Sequence, residues 1–320
     1  MLLALGLASS AFFLWLVLRD ADLDAVWLAL RDADIGQVVL AALVIQVVYV
    51  AQATRWRLIA GTFALTVRRF YALVLGGIGA NNVLPLRIGD ILRGRWLATS
   101  AEIATGRAFG SVFRDRACDV LTLVVALAVS LPSVGNAAWV DRIVVGGLIL
   151  VLALALVVAA AVVYARTRPR ARRNTRSRAR KVLRDTIDEV ASPIGRRRLA
   201  LALALSVLAW GAWAIAAGLV CKSLGFSLTP IELVFVTAVI NLGVVIPSSP
   251  GFIGTYQWLA VSALGVLGVD GDVAIAFSLL MQAIWFVPTT VVGGAIAVRE
   301  VARDATRTRA PDEPPVPSPR

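Results

Sequence analysis

Arg87, Asp90 and Arg93 stand three residues apart in NNVLPLRIGDILRGRW (residues 81–96), immediately after an apolar block that contains several glycines. On a helix that spacing gathers all three on one face. With Asn81 and Asn82 at the bend before Pro85, the two arginines could hold an anionic group, and the planar fork of a guanidinium suits phosphate. The competing reading is a cytoplasmic amphipathic helix whose charges are merely solvated. A second group follows in FRDRACD (113–119), where Asp115 and Asp119 lie four apart on one helical face and Arg116 precedes Asp119 by three. A charge at the centre of a bilayer costs about 2.5–3.5 kcal/mol, so charges beside an apolar segment must pair. They pin a hairpin in place, or Arg114 or Arg116 completes an anion site; the two roles are compatible. The third group is PSSPGFIGTYQW (247–258), whose prolines and glycines interrupt a helix. A new helix beginning near Gly254 would aim free N–H groups and a positive dipole end at an anion. Ser248, Ser249, Gly251, Thr255, Tyr256 and Gln257 would stand beside it, unless the break is only a kink satisfied by neighbouring helices. Asn241, shortly before the break, is a weaker hint and reads as well as a helix–helix hydrogen bond.

The elements that must position these groups follow from hydropathy. Hydrophobic residues make up 59% of the 320, against roughly 45–50% in soluble proteins. They fall in long blocks at 2–18, 35–54, 70–86, 117–132, 143–164, 199–220, 231–247, 255–268 and 273–298, which indicates an integral membrane protein. Blocks 70–86 and 255–268 are short and glycine-rich. Loop charges set the sides. Residues 19–34 are acidic and suit the outside, whereas 55–69 carry four arginines and no acid, and 87–116 are again arginine-rich. Both flanks of block 70–86 then share the inner face, so that block dips in and returns. By the same rule DGD (270–272) and the loop around Lys222 lie outside, so 231–268 forms a second dip from the opposite side. The expected fold is all-α and polytopic, with about six spanning helices and two broken re-entrant hairpins in an inverted repeat. One transmembrane domain covers 1–300, with repeat-like halves 35–132 and 199–298 joined by a basic cytoplasmic loop at 165–198. The tail 301–320 is expected to be disordered and cytoplasmic. Paired broken helices of this kind place binding sites near the bilayer midplane.

Composition also excludes chemistry. With no histidine, His proton relays, Ser–His triads and His-ligated metals are out of reach. Cys118 and Cys221 are far apart and sit in or beside apolar blocks, so they read as packing residues rather than a disulfide or metal site. The net charge of +12 is concentrated between Arg166 and Arg198, where thirteen Lys/Arg face three acids. Between two spans this is the positive-inside signal, with attraction to anionic lipid as a corollary and no nucleic acid implied. Trp15, Trp27, Trp56, Trp139 and Trp258 fall near block ends, as an interfacial belt would. The first block lacks a basic leader and a clear cleavage site, so it reads as a retained span. No cofactor motif is present.

Four motifs in order carry a resemblance: the pair Arg55–Trp56, NNVLPLRIGDILR (81–93), FRDRACDVL (113–121) and PSSPGFIGTYQ (247–257). Over residues 10–300 the chain resembles the flippase-like integral membrane family typified by the transmembrane region of lysylphosphatidylglycerol synthetase. The resemblance implies a membrane domain that handles or translocates lipids, sometimes beside glycosyltransferases or other envelope enzymes. Many relatives carry a Glu where this chain has Gln257, so a carboxylate role there is not implied. Without an aminoacyl-transferase domain after residue 300, the namesake's aminoacylation is not implied either. The expectation is a lipid flippase of a bacterial cytoplasmic membrane with both termini cytoplasmic. An anionic phospholipid or polyprenyl-phosphate head group would meet Arg87 and Arg93 from the inner side and the 251–257 half-helix from the outer. Asp90, Asp115 and Asp119 would orient the arginines. The rivals are a non-transporting partner of an envelope enzyme and, least favoured, an intramembrane enzyme.

Overall fold

The computed structural model describes residues 2–84, 87–134, 138–167, 177–244 and 250–309, and no strand occurs among them. The chain begins with α1 (Leu2–Leu18) and a short α2 (Leu23–Arg31), followed by α3 (Ile35–Ala60). Two aspartates of the acidic stretch 19–34 act as N-caps. Asp22 accepts from the N–H groups of Asp24 and Ala25, and Asp34 from those of Gly36 and Gln37, satisfying donors that a helix start leaves free. Thus part of the expected outer loop is helical. A hairpin of α4 (Val67–Val83) and α5 (Ile88–Ala101) precedes α6 (Thr105–Ser130) and α7 (Ala138–Thr167). Within the basic loop lies an amphipathic α8 (Arg178–Ala191), packed against α6 and α7. The second half runs through α9 (Arg196–Ser223), α10 (Pro230–Gly243), α11 (Thr255–Val266) and α12 (Gly271–Pro288). A π-helical segment, Thr289–Gly293, leads into α13 (Gly294–Arg309), so residues 301–309 of the expected tail continue a helix.

Three helices are long and apolar enough to cross a membrane among the described residues: Ile35–Ala60, Arg196–Ser223 and Gly271–Thr306. The first and second form the spine. Arg55 reaches Ser206 at one end and the Asp34 N–H donates to Ser223 at the other, so α3 and α9 run antiparallel along most of their length. Small buried residues on α9 (Ala202, Ala209, Ala212, Ala216) let the backbones approach closely. By contrast α4, α5, α10 and α11 hold 17, 14, 14 and 12 residues. At 1.5 Å per residue these span about 18–26 Å, short of a hydrocarbon core of about 30 Å. Each therefore needs a partner, and the pairing is reciprocal. The α4–α5 hairpin packs on α3 and α6 and leans on the π-helical end of α12, while α10 and α11 pack on α9 and α12 and lean on α6. The sets α3–α6 and α9–α12 thus show the same order of packing neighbours.

The crossing of α4 over the π segment depends on having no side chain at two positions. A Cβ on Gly79 would collide with the backbone of Gly293 and Gly294, and one on Gly293 with the carbonyl of Leu75. The widened π turn displaces carbonyls locally, and the two glycines let the helices touch backbone to backbone. Trp56, expected in an interfacial belt, is instead wholly buried. It meets the Phe70 ring edge-on at 5.0 Å and donates from Nε1 to Ser111.

Candidate functional site

Where α3 passes α6, the apolar interior is interrupted by ion pairs. α3 continues past the end of its apolar block, so Arg55 lies inside the bundle and is 0% exposed. Its Nε donates to Asp115 at 2.8 Å, and its Nη1 to Asp119 at 2.7 Å and to Ser206 at 2.9 Å. The four-residue spacing of the two aspartates makes both available to one guanidinium. From α5, the equally buried Arg93 reaches the second oxygen of Asp115 at 3.3 Å and Asp90 at 3.1 Å, with its guanidinium carbon 4.8 Å from the Trp56 ring centre. Arg116 closes the network, 2.7 Å from Asp90 and 3.5 Å from Asp119. Trp210 on α9 donates to Asp119 at 3.2 Å. Buried charges persist only when paired and hydrogen-bonded, and this network joins α3, α5, α6 and α9.

Beside it, where the two hairpins meet, lies a cavity of about 300 Å³. The first hairpin contributes Asn81, Asn82, Arg87 and Asp90, and α6 contributes Arg116 and Asp119. The second hairpin contributes Asn241, Phe252 and Tyr256. Tyr49, Trp210, Trp213 and Trp285 complete an aromatic wall. Arg87 and Phe252 both hold left-handed backbone, with φ of 53° and 60°, a conformation that costs a non-glycine residue about 1–2 kcal/mol. They meet each other: the Arg87 guanidinium sits 5.6 Å from the Phe252 ring centre and its Nη2 donates to the Val244 carbonyl at 2.8 Å. This contact joins the two hairpin tips. Several cavity groups have no partner among the described residues, notably the Tyr49 hydroxyl, the Asn82 Oδ1 and the Arg116 Nε.

The sequence profile of the family described as lysylphosphatidylglycerol synthase TM region matches residues 2–293. The chain belongs to this family. No curated protein matches it. It is thus a multi-pass membrane protein related to the membrane region of a lipid-modifying synthase.

The predicted site residues divide into three groups. Asn81, Asn82, Arg87, Asp90, Arg116 and Asp119 come together at the cavity, although the Asn81 Oδ1 accepts from the Gly89 N–H and the Asn82 Nδ2 donates to the hydroxyls of Thr289 and Thr290. Arg93 and Asp115 lie behind the wall, committed to the ion pairs. The rest go elsewhere. Arg114 turns away to α8, bonding Glu189 at 3.0 Å and Ser192, because it lies on the opposite face of α6 from Asp115 and Asp119. At the α11 N-terminus Tyr256 lines the cavity, but the N–H of Gly254 is not free. The Gly254 N–H is capped by Gln257 Oε1 at 2.7 Å, Gln257 Nε2 donates to Gln282, and Gln282 donates to the Gly251 carbonyl at 2.8 Å. At Gly254 the backbone of α1 lies so close that a Cβ would strike the Ser10 carbonyl. Thr255 is likewise buried away from the cavity, and Ser248 and Ser249 lie outside the described residues. Tyr49 and the three tryptophans were not among the candidates, because aromatic residues in apolar blocks look the same whether they face a cavity or a core; nor was Gln52, which also lines the cavity. Arg55 carried a usable signal: an ionisable residue in an otherwise apolar helix is a site candidate by default.

Proposed function

We propose that the chain takes the anionic head group of a membrane lipid into the cavity between its two hairpins and moves that lipid between leaflets, the acyl chains remaining in the bilayer. The observation that carries this reading is charge balance. Among the described residues, Arg55, Arg87, Arg93 and Arg116 face only Asp90, Asp115 and Asp119 in and behind the cavity wall, leaving one positive charge in excess. In an apolar interior such a charge favours an anion. Arg87 is the cation best placed to supply it, since its hydrogen bond goes to a neutral carbonyl and not to a carboxylate. Arg87 also links the hairpin tips, so a phosphate that draws it off Val244 would loosen them. In this reading the hairpins re-enter the membrane from opposite sides, and the basic segment 166–198 places both termini on the cytoplasmic side of a bacterial membrane. The aspartates serve to orient arginines, so the reading is of a transporter and not a catalyst.

The test is a scrambling assay with purified protein in liposomes, fluorescent lipid and a membrane-impermeant reductant. The wild type is expected to allow bleaching beyond the outer-leaflet half for an anionic phospholipid or a polyprenyl-phosphate lipid. Arg87→Ala should slow this at least about tenfold, the effect of one charge-assisted hydrogen bond, with unchanged amounts of protein reconstituted. No excess bleaching with either lipid class overturns transport. A second reading is favoured by the family description, which is of a synthase's membrane region: a non-transporting partner that presents the lipid to an envelope enzyme. Head-group binding without scrambling would select it.

A further inference from the structure

An apolar groove of about 480 Å³ runs along the bundle between α6, α9 and α10. Its outer edge is formed by exposed Leu121, Val125, Val129 and Val207, side chains that in a membrane protein face hydrocarbon. At its inner end the groove adjoins the polar cavity. Leu123 and Trp210 line both the groove and the polar cavity, and Trp210 Nε1 is bonded to Asp119 on the cavity side. One indole thus has an apolar face on the groove and a polar edge on the charge network.

Thr237 lines the groove and is 3% exposed. Its hydroxyl has no hydrogen-bond partner among the described residues, although a buried hydroxyl ordinarily has one. One turn later on the same helix, Asn241 lines the cavity and donates to the Thr237 carbonyl at 2.8 Å. Groove, unpaired donor and cavity therefore lie in that order.

We propose that the groove is the lateral entry path of a glycerophospholipid. Its acyl chain lies between α6, α9 and α10, and the Thr237 hydroxyl donates to the ester carbonyl at the head of that chain. The inference rests on the cavity holding the head group. An isoprenoid chain joined directly to phosphate has no ester carbonyl, which is why the unpaired hydroxyl favours a glycerophospholipid. Because lipid tails are as apolar as the groove, the groove contributes direction and fit more than hydrophobic driving force.

Gly211 provides the test, since a Cβ there meets nothing within 4 Å although the residue lines the groove. A large side chain at this position would therefore leave the backbone without a clash at its Cβ and extend into the groove. Phosphatidylglycerol carrying a photoreactive group near the end of one acyl chain is cross-linked to the detergent-solubilised protein, and the adducts are mapped by mass spectrometry. Wild type is expected to label on α6, α9 and α10, and Gly211→Trp to lose at least tenfold of that labelling. Val207→Trp, at a position 64% exposed, is a second block should the first variant be poorly produced. Wild type should also bind the diacyl lipid about fivefold more tightly than its dialkyl-ether analogue, as expected for one hydrogen bond, and Thr237→Val should abolish that preference. Equal labelling in wild type and both tryptophan variants overturns the groove, as does an ester preference that survives Thr237→Val. Soluble glycerophosphoglycerol reads the cavity independently. If it displaces the lipid while the groove tests fail, the head-group reading stands alone. If it fails to displace the lipid from wild type, the cavity reading falls and the groove proposal with it.

Discussion

Replacing Arg55 with methionine removes the centre of the buried ion network while keeping an unbranched side chain of similar reach. Arg55 is fully buried and holds Asp115 at 2.8 Å, Asp119 at 2.7 Å and Ser206 at 2.9 Å. Breaking a buried ion pair by removing one partner costs about 3–5 kcal/mol, because the other charge is left uncompensated. Here two carboxylates are stranded, but neither is left alone. Asp115 keeps Arg93 at 3.3 Å, and Asp119 keeps Trp210 at 3.2 Å and Arg116 at 3.5 Å. The expected loss is therefore at the lower end, about 3 kcal/mol. Adding Asp115→Asn restores the original excess of one positive charge, so the double variant should recover about 1 kcal/mol or more, within the range measured for coupled neighbours. Arg116→Met, whose side chain is 39% exposed, should cost only about 1 kcal/mol after solvent screening. The assay is reversible unfolding in mixed micelles by a denaturing detergent, followed by tryptophan fluorescence, with membrane abundance measured in parallel. An Arg55→Met protein as stable as wild type would refute the reasoning. So would a double variant whose loss is the simple sum of the two single losses.

Two further substitutions probe the packing that shapes the cavity. Gly79→Leu forces a side chain into the backbone of Gly293 and Gly294; overpacking of this kind typically costs 1–3 kcal/mol, occasionally more, and the π segment offers little space to relax. It should lower membrane abundance sharply and broaden the gel-filtration profile, whereas Gly211→Leu, with open space around it, should change neither. Gln257→Leu leaves the Gly254 N–H and the Gln282 Oε1 without these partners, a loss of about 1–3 kcal/mol for each group left unsatisfied. It should lower the unfolding midpoint and raise hydrogen exchange at Gly251–Gln257; unchanged exchange would remove Gln257 from its capping role.

Much of the architecture was legible in residue order, because hydropathy and loop charge act locally. Apolar blocks of spanning length, the arginine-rich side of each, and two short blocks broken at NNVLPLRIGD and PSSPGFIGT mark the long helices and hairpins directly. The spacing of Asp115 and Asp119 announced a shared face, and one guanidinium occupies it. What residue order could not carry is which side of a helix meets which neighbour across more than a hundred residues. Arg114 and Arg116 differ by two positions, and only the packing of α8 on one face of α6 and α5 on the other sends them to Glu189 and Asp90. The half-helix after Gly254 had every local mark of an anion site, yet a buried N–H takes the nearest acceptor, and Gln257 supplies it. Arg55 looked like the first charge of a loop because the apolar block stops before it; the helix does not, and its burial follows from the aspartates waiting on α6. Local chemistry therefore determined the elements and their order. The tertiary fold alone decided which charges became structure and which were left facing the cavity, because pairing energies depend on three-dimensional neighbours that the order of residues does not name.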